Sequence, residues 1–305
     1  MNEKYLIIRP KYGLCNQLIS ISKGIIFSHI TKRNLIFIGF QIDYRDENNI
    51  VNFNEIIDVD NLQKIINSFD FNINIINDDS IDSIKIKKSS NENISYIKDF
   101  IPLLTNSDNK DIKYLDVDNP ISADIPEKYN DILKYININI KFTKKYNDVA
   151  NSIKIHLKLK NYSCIHLRLE DDAINFMKDH NKKIDISIIN EIYKKKYINE
   201  LEYLKNINHN IYICTSLCIN DNINNQFYID IKKKYNLFDK NDFINNQDFG
   251  QYREIFGIID YIIAKDSIYF IGADWSSFSM FIYDHHYHNK IASKLIDIYN
   301  TVVSL

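Results

Sequence analysis

The sequence is poor in the residues that punctuate a chain: 6 glycines, 4 prolines and 1 tryptophan in 305 residues. Heavy use of Ile, Asn, Lys and Asp beside that scarcity reads as coding bias, so the Asn runs carry little functional weight. The few glycines that follow strands say more. The 4 cysteines (Cys15, Cys164, Cys214 and Cys218) show no paired framework, and Cys214 to Cys218 lacks metal or redox spacing, which argues against a disulfide scaffold. A net charge of −2 removes any general attraction to nucleic acid or anionic membranes. There is no long apolar run. The stretch Tyr5–Ile8 is far too short for a signal peptide or a membrane span, so a soluble, cytoplasmic protein is expected. Repeats and coiled-coil heptads are also missing. The sequons Asn93-Ile-Ser95 and Asn161-Tyr-Ser163 are what an Asn-rich chain produces by chance.

What is present is an α/β rhythm. KYLIIR (4–9) reads as a buried strand, followed by the loop PKYGLCNQ. A helix follows, with Leu18, Ile21, Ile25 and His29 at helical spacing, and then a strand at 35–39. FNEIIDVDNLQKIINSF reads as an amphipathic element feeding a helix. Residues 70–100 are polar, with Lys85, Lys87 and Lys88 as a solvated run. Pro102, Pro120 and Pro126 suggest a connection between domains, giving an N-terminal Rossmann-like domain over 1–139 and a second over 140–305. The second domain offers a helix at 144–160, strands at 162–168, 210–216 and 267–272, and helices at 186–206 and 248–264. Ile291, Leu295, Ile298 and Val302 suggest a terminal amphipathic helix. Ligands of such sheets bind where strands end.

Three segments meet that criterion. In Tyr12-Gly13-Leu14-Cys15-Asn16-Gln17, Gly13 allows a tight turn and Asn16 offers a donor and an acceptor at a helix start, or simply a cap. In CIHLRLEDDAINF (164–176), alternation puts His166 and Arg168 on one face of a strand that ends in acids. A guanidinium there seeks an anion. That anion is either a ligand phosphate or the neighbouring Glu170, Asp171 and Asp172. In FIGADWSSFS (270–279), a strand ends at Gly272 and Ser276, Ser277 and Ser279 crowd a helix start, as either a phosphate cradle or a plain serine cap. Asp260 lies on or beside the apolar stripe Phe249, Tyr252, Phe256, Ile259 and Ile263. A carboxylate there needs donors, from a guanine edge, a backbone turn or an arginine.

GLCNQL, IHLRLEDD and IDYIIAKDSIYFIGADWSSFSMF resemble the three signatures of GDP-fucose-dependent fucosyltransferases. The likeness is greatest to the protein O-fucosyltransferase type and its plant branch, with His166, Arg168, Glu170 and Asp172 in the pattern His-x-Arg-x-Glu-x-Asp. The resemblance implies a GT-B architecture, two Rossmann-like domains with a cleft between them. It further implies inverting, metal-independent transfer of a 6-deoxy-sugar, L-fucose from GDP-fucose, to a hydroxyl of a glycan or protein. No cofactor, nucleic-acid partner or transmembrane segment goes with it. Arg168 would bind the diphosphate as a catalytic residue, not pair with the acids beside it. Ser276, Ser277 and Phe278 would line the phosphate and nucleoside pocket. His166 and Asp260 would fix the nucleotide, with Gly13 also on the donor side. Asn16 would act near the sugar and the acceptor oxygen. Glu170, Asp171 and Asp172 are the candidates for acid or base, with Glu170 and Asp172 foremost.

One departure stands out: Cys15 replaces the second glycine of Gly-x-Gly-Asn-Gln, which is a concern if that position needs a positive φ. Related enzymes that use UDP-rhamnose keep that donor open. Two other readings compete. One is a non-catalytic nucleotide-sugar or glycan-binding module, favoured by Cys15. The other is a metal-dependent hydrolase built on Asp284, His285, His286 and His288, which lack His-Glu-x-x-His spacing.

Overall fold

The computed structural model describes residues 3–43, 45–46, 48–76, 100–105, 112–207, 210–217, 224–244 and 252–304. Cys218, Phe249, the sequon at 93–95 and the run at Lys85–Lys88 lie outside them. The chain forms two compact units, Met1–Lys145 and Tyr146–Leu305.

Unit 1 begins with β1 (Tyr5–Ile8) and α1 (Leu14–Thr31). There follow β2 (Asn34–Phe37), the short antiparallel pair β3 (Phe40–Gln41) and β4 (Ile50–Val51), α2 (Phe53–Ile56) and α3 (Val59–Ser68). The unit continues with α4 (Phe100–Thr105), β5 (Tyr114–Asp116) and α5 (Asn130–Asn139). Its main sheet is parallel in the order β2-β1-β5. Leu6, Ile7 and Ile8 are wholly buried, as expected where helices cover both faces of a parallel sheet. α1 presses close to β1: a Cβ on Gly24 would stand 2.9 Å from the Ile8 side chain. Glycine is required there for contact, not for backbone freedom.

The proline-marked stretch is not a connection. It contains β5, which pairs with β1 from Tyr5↔Tyr114 to Ile7↔Asp116. Three residues give too short a pattern to signal a strand, but the edge of β1 rewards the pairing.

α6 (Lys144–His156) leads into unit 2, which has β6 (Ser163–His166), α7 (Asp171–His180), α8 (Ile186–Ile207) and β7 (Ile211–Cys214). Then come α9 (Asn225–Tyr235), α10 (Arg253–Lys265), β8 (Tyr269–Ala273), α11 (Ser277–His288), β9 (Ala292–Ile296) and α12 (Tyr299–Val303). All strands are parallel, in the order β7-β6-β8-β9. A core of Ile165, Leu167, Leu169, Tyr193, Tyr197, Leu201, Ile213 and Ile271 packs on this sheet. Cys164 and Cys214, 50 residues apart, meet across β6 and β7 as buried thiols with sulfurs 3.3 Å apart.

The expected terminal helix is replaced by a strand and a short helix. β9 pairs with β8 from Tyr269↔Ala292 to Ala273↔Ile296. The 3.6-residue spacing of Ile291, Leu295, Ile298 and Val302 is overridden by the open edge of β8, and only Tyr299–Val303 is helical.

Candidate active site

In unit 2 the chain runs from β6 outward to β7 and returns on the other side of β6 as β8. The crossovers therefore diverge between β6 and β8, a switch point that leaves a ligand crevice at the strands' carboxyl ends. β6 delivers His166 and Arg168 there, and β8 delivers Gly272 and the start of α11.

The backbone beyond β6 is tightly held. The Arg168 N–H donates to Tyr197 Oη (3.0 Å), Thr215 Oγ1 donates to the Leu167 carbonyl (3.1 Å), and Asn224 Nδ2 donates to that of Leu169 (2.8 Å). The Arg168 side chain turns to the acids after all. Its Nη1 lies 2.9 Å from Glu170 Oε2, and its Nη2 is 2.6 Å from Asp172 Oδ2. Its guanidinium carbon also sits 5.6 Å over the Trp275 ring. The reading of Arg168 as no partner of these acids is thus corrected. Parity with Glu170 places the two on one side, and a partly buried guanidinium without ligand needs counter-charge.

Glu170 is in turn fixed from behind, its Oε1 accepting from Ser216 N (3.2 Å) and Ser216 Oγ (2.6 Å). Burial would raise its pKa, but Arg168 and Arg253 overcome this and hold it well below the usual carboxylate range. Glu170 is therefore ionised at neutral pH and is not available as a proton donor. Asp172 sits on the Arg168 fork with Arg253 3.7 Å away, so its carboxylate balances guanidinium charge.

His166 is buried, with Nδ1 2.8 Å from Ser279 Oγ. That oxygen already accepts the Ala273 N–H at 3.0 Å. Its own proton can therefore go to Nδ1, which puts the ring proton on Nε2. Burial pushes the His166 pKa down to about 3, and the neighbouring Arg168 and Arg253 oppose protonation too. The imidazole is neutral. Ser279 is accordingly not part of a phosphate cradle; it fills the space over Gly272, where a Cβ would lie 2.4 Å from its Oγ.

Ser276 precedes α11 without capping it by its side chain, so the plain cap reading fails. Ser276 is buried, Ser277 and Phe278 are half-buried, and the Phe278 ring lies 4.6 Å from that of His166. The first-turn N–H groups of a helix have no partner within the helix, so α11 starts with anion-binding potential.

Asp260 is almost fully buried, and it has protein donors. Lys240 Nζ lies 2.7 Å from Oδ2, the Thr215 N–H 3.2 Å from Oδ2, and Tyr212 Oη 2.8 Å from Oδ1. Burial raises its pKa to about 6 against the pull of Lys240. The guanine edge is therefore not what satisfies this carboxylate, and its donor-binding role is withdrawn. Lys240, wholly buried, also donates to the Thr215 carbonyl at 2.6 Å. Lys240 and Asp260 thus grip Thr215, Ser216 grips Glu170, and Glu170 grips Arg168. The sequence offered no sign of Lys240 or Arg253, which are 20 and 7 residues from Asp260 and lie among ordinary charges.

Gly13 and Asn16 belong to unit 1, at the carboxyl end of β1. Gly13 is extended (φ −60°, ψ 156°) with open space around it, so it does not make the turn. The left-handed residue is Tyr12, at φ 74°. Gln17 and Gln41 brace it: the Tyr12 N–H donates to Gln41 Oε1 (2.7 Å) and Gln17 Nε2 to the Tyr12 carbonyl (2.8 Å). Cys15 is buried within α1 and absent from the positive-φ residues, so this position needs no glycine. Asn16, half-buried in the first turn, makes no side-chain hydrogen bond among the described residues. Among the described residues no three metal-ligating side chains converge. His286 is committed to the core, 3.2 Å from the Ala264 carbonyl. No helix of the described residues is long and apolar enough to cross a membrane.

Two α/β units with parallel sheets are the fold shared with GT-B glycosyltransferases. The family model for GDP-fucose protein O-fucosyltransferase matches residues 5–289, and the chain belongs to that family. Its fold is similar to that of POFUT1 crystallised with GDP-fucose: TM-score 0.63, 11% identity, covering 97% of this chain and 98% of that one. It is also similar to NodZ alpha-1,6-fucosyltransferase soaked with GDP-fucose, at TM-score 0.62 and 12% identity over 98% of this chain and 96% of that one. NodZ fucosyltransferase from Bradyrhizobium in selenomethionine form gives TM-score 0.62 and 13% identity, over 97% and 96%. No curated protein sequence matches the chain.

Proposed function

We propose that the enzyme transfers L-fucose from GDP-fucose to a hydroxyl of a glycan or protein, with inversion and without a divalent metal. The observation that carries this reading is Arg168, braced by Glu170 at the β6–β8 switch point beside a neutral His166. As the sugar–phosphate bond stretches, the sugar becomes oxocarbenium-like and negative charge gathers on the departing diphosphate. Arg168 and the N–H groups at Ser277 and Phe278 stabilise that charge where other glycosyltransferases use a cation. The Nε2–H of His166 donates to the nucleotide side, Ser276 and Phe278 line it, and Gly13 stays on the donor side. Asn16 keeps a contact to the sugar and the acceptor oxygen. The non-catalytic reading loses its support, since Cys15 distorts nothing.

A thermal-shift panel of GDP, UDP and their sugars tests the donor. GDP-fucose at about a hundred times its Kd should stabilise the protein by about 2.7 kcal/mol. Preference for UDP overturns the donor assignment. Arg168→Lys keeps a charge opposite Glu170 but loses the fork, so transfer should fall by about 10²–10³-fold. Normal transfer by a folded Arg168→Lys enzyme overturns the site.

A further inference from the structure

We propose that Arg253 is a second ligand of the donor's diphosphate, and that Asp172 is an internal anion the diphosphate displaces. This rests on the donor reading above. The two acids of the cluster are held differently. Glu170 has an 11% exposed side chain bonded to both Ser216 N and Ser216 Oγ. Asp172 is 39% exposed, and among the described residues its ion pairs are with the two guanidiniums alone. Its Oδ2 lies 2.6 Å from Arg168 Nη2 and 3.7 Å from Arg253 Nη2, while Oδ1 lies 3.3 Å from Arg168 Nη1. The carboxylate thus occupies the place between two arginines that a phosphate of the same charge and fork geometry would take.

Helix polarity alone does not require it there, because Asp171 also stands in the first turn of α7. Nor is Arg253 a loose surface charge. Its side chain is 17% exposed, and it begins α10, the helix anchored through Asp260 to Lys240. With Glu170 and Asp172 in place the two arginines are neutralised. Swinging the exposed carboxylate out leaves one surplus positive charge for the diphosphate, while Glu170 keeps Arg168 aligned. No bond is made or broken in this exchange.

The test is the Kd of GDP for the full-length wild type, Asp172→Asn, Asp172→Ser, Arg253→Gln and Arg253→Lys, each with its ligand-free melting temperature. Both Asp172 variants should bind GDP more tightly, on the order of tenfold at low ionic strength, with the gain shrinking at high salt. Arg253→Gln should weaken GDP on the order of tenfold, and Arg253→Lys should fall between it and the wild type. Lys at this position keeps the charge on a folded helix start, so the test survives if Gln does not fold. Wild type that binds no GDP sinks the donor reading and this proposal with it. Wild type that binds GDP, with Asp172→Asn and Asp172→Ser no tighter or the Arg253 variants no weaker, sinks this proposal alone.

Discussion

Replacing Lys240 with methionine separates a structural Asp260 from a ligand-binding one. Lys240 and Asp260 are both buried and 2.7 Å apart. Methionine fills the aliphatic stem but leaves the carboxylate, among the described residues, with Tyr212 and the Thr215 N–H, and leaves the Thr215 carbonyl without its 2.6 Å donor. Removing one member of a buried pair costs about 3–5 kcal/mol. For a unit of this size, that lowers Tm by roughly 6–20 °C. Lys240→Met/Asp260→Asn removes both charges, and it should be more stable than the sum of the two single losses by roughly 1–3 kcal/mol. Asp260→Asn alone should destabilise in the same way, yet bind GDP once folded. Thermal and urea unfolding at pH 7, with the GDP-induced shift of each variant, provide the measurements. A Lys240→Met loss under about 1 kcal/mol, or strict additivity, refutes the pair. A well-folded Asp260→Asn that has lost GDP returns Asp260 to the guanine site.

His166, depressed to about 3 by burial, stays neutral in the fold while an unfolded chain protonates near 6.5. Its contribution is therefore complete above pH 6.5 and is lost as pH falls, by up to about 1.4 kcal/mol per pH unit. Burial depresses His286 in the same direction, so His166→Gln should shrink the slope of stability against pH between about 6 and 5 without abolishing it; an unchanged slope contradicts the neutral imidazole. Gly272→Ala should cost about 1–3 kcal/mol and misplace Ser279, because the new methyl would stand 2.5 Å from Ser279 Cβ and 2.8 Å from the Phe270 ring; a neutral Tm would show that α11 gives way. Tyr12→Gly should raise stability by up to about 1 kcal/mol by relieving a left-handed backbone, whereas Tyr12→Val should lower it; if valine is tolerated, the Gln17–Gln41 brace does not enforce that φ.

The central elements were legible because their signals are local. YLII, SCIH and IYIC are short apolar runs between polar loops, and each is a strand of a parallel sheet. The elements that failed are those whose conformation is decided by a neighbour. β5 is three residues long among prolines and exists because β1 has an edge to offer. ASKLI carries helical spacing but completes the edge of β8. Gly13 attracted the turn because glycine is rare, yet the turn falls on Tyr12, which neither propensity nor spacing favours. Only the two glutamines facing it, 24 residues apart, reveal why.

The same division explains the site. Alternation correctly set Arg168, Glu170 and His166 on one side of β6, but alternation specifies a side and not a partner. The ion pair and a diphosphate clamp are compatible roles for one guanidinium. A guanidinium waiting at a strand end without its ligand must be neutralised by something, or the low-dielectric site would not hold it. An acid that merely neutralised Arg168 would gain nothing from being fastened by Ser216, and Glu170 is so fastened. An acid meant to stay would be buried, and Asp172 is the more exposed of the two. Two carboxylates meet on one arginine, one fixed and one more exposed; in the proposed reading the first aims the charge and the second covers it. In the proposed reading, the resting ion pair is the form in which Arg168 is kept ready for the diphosphate.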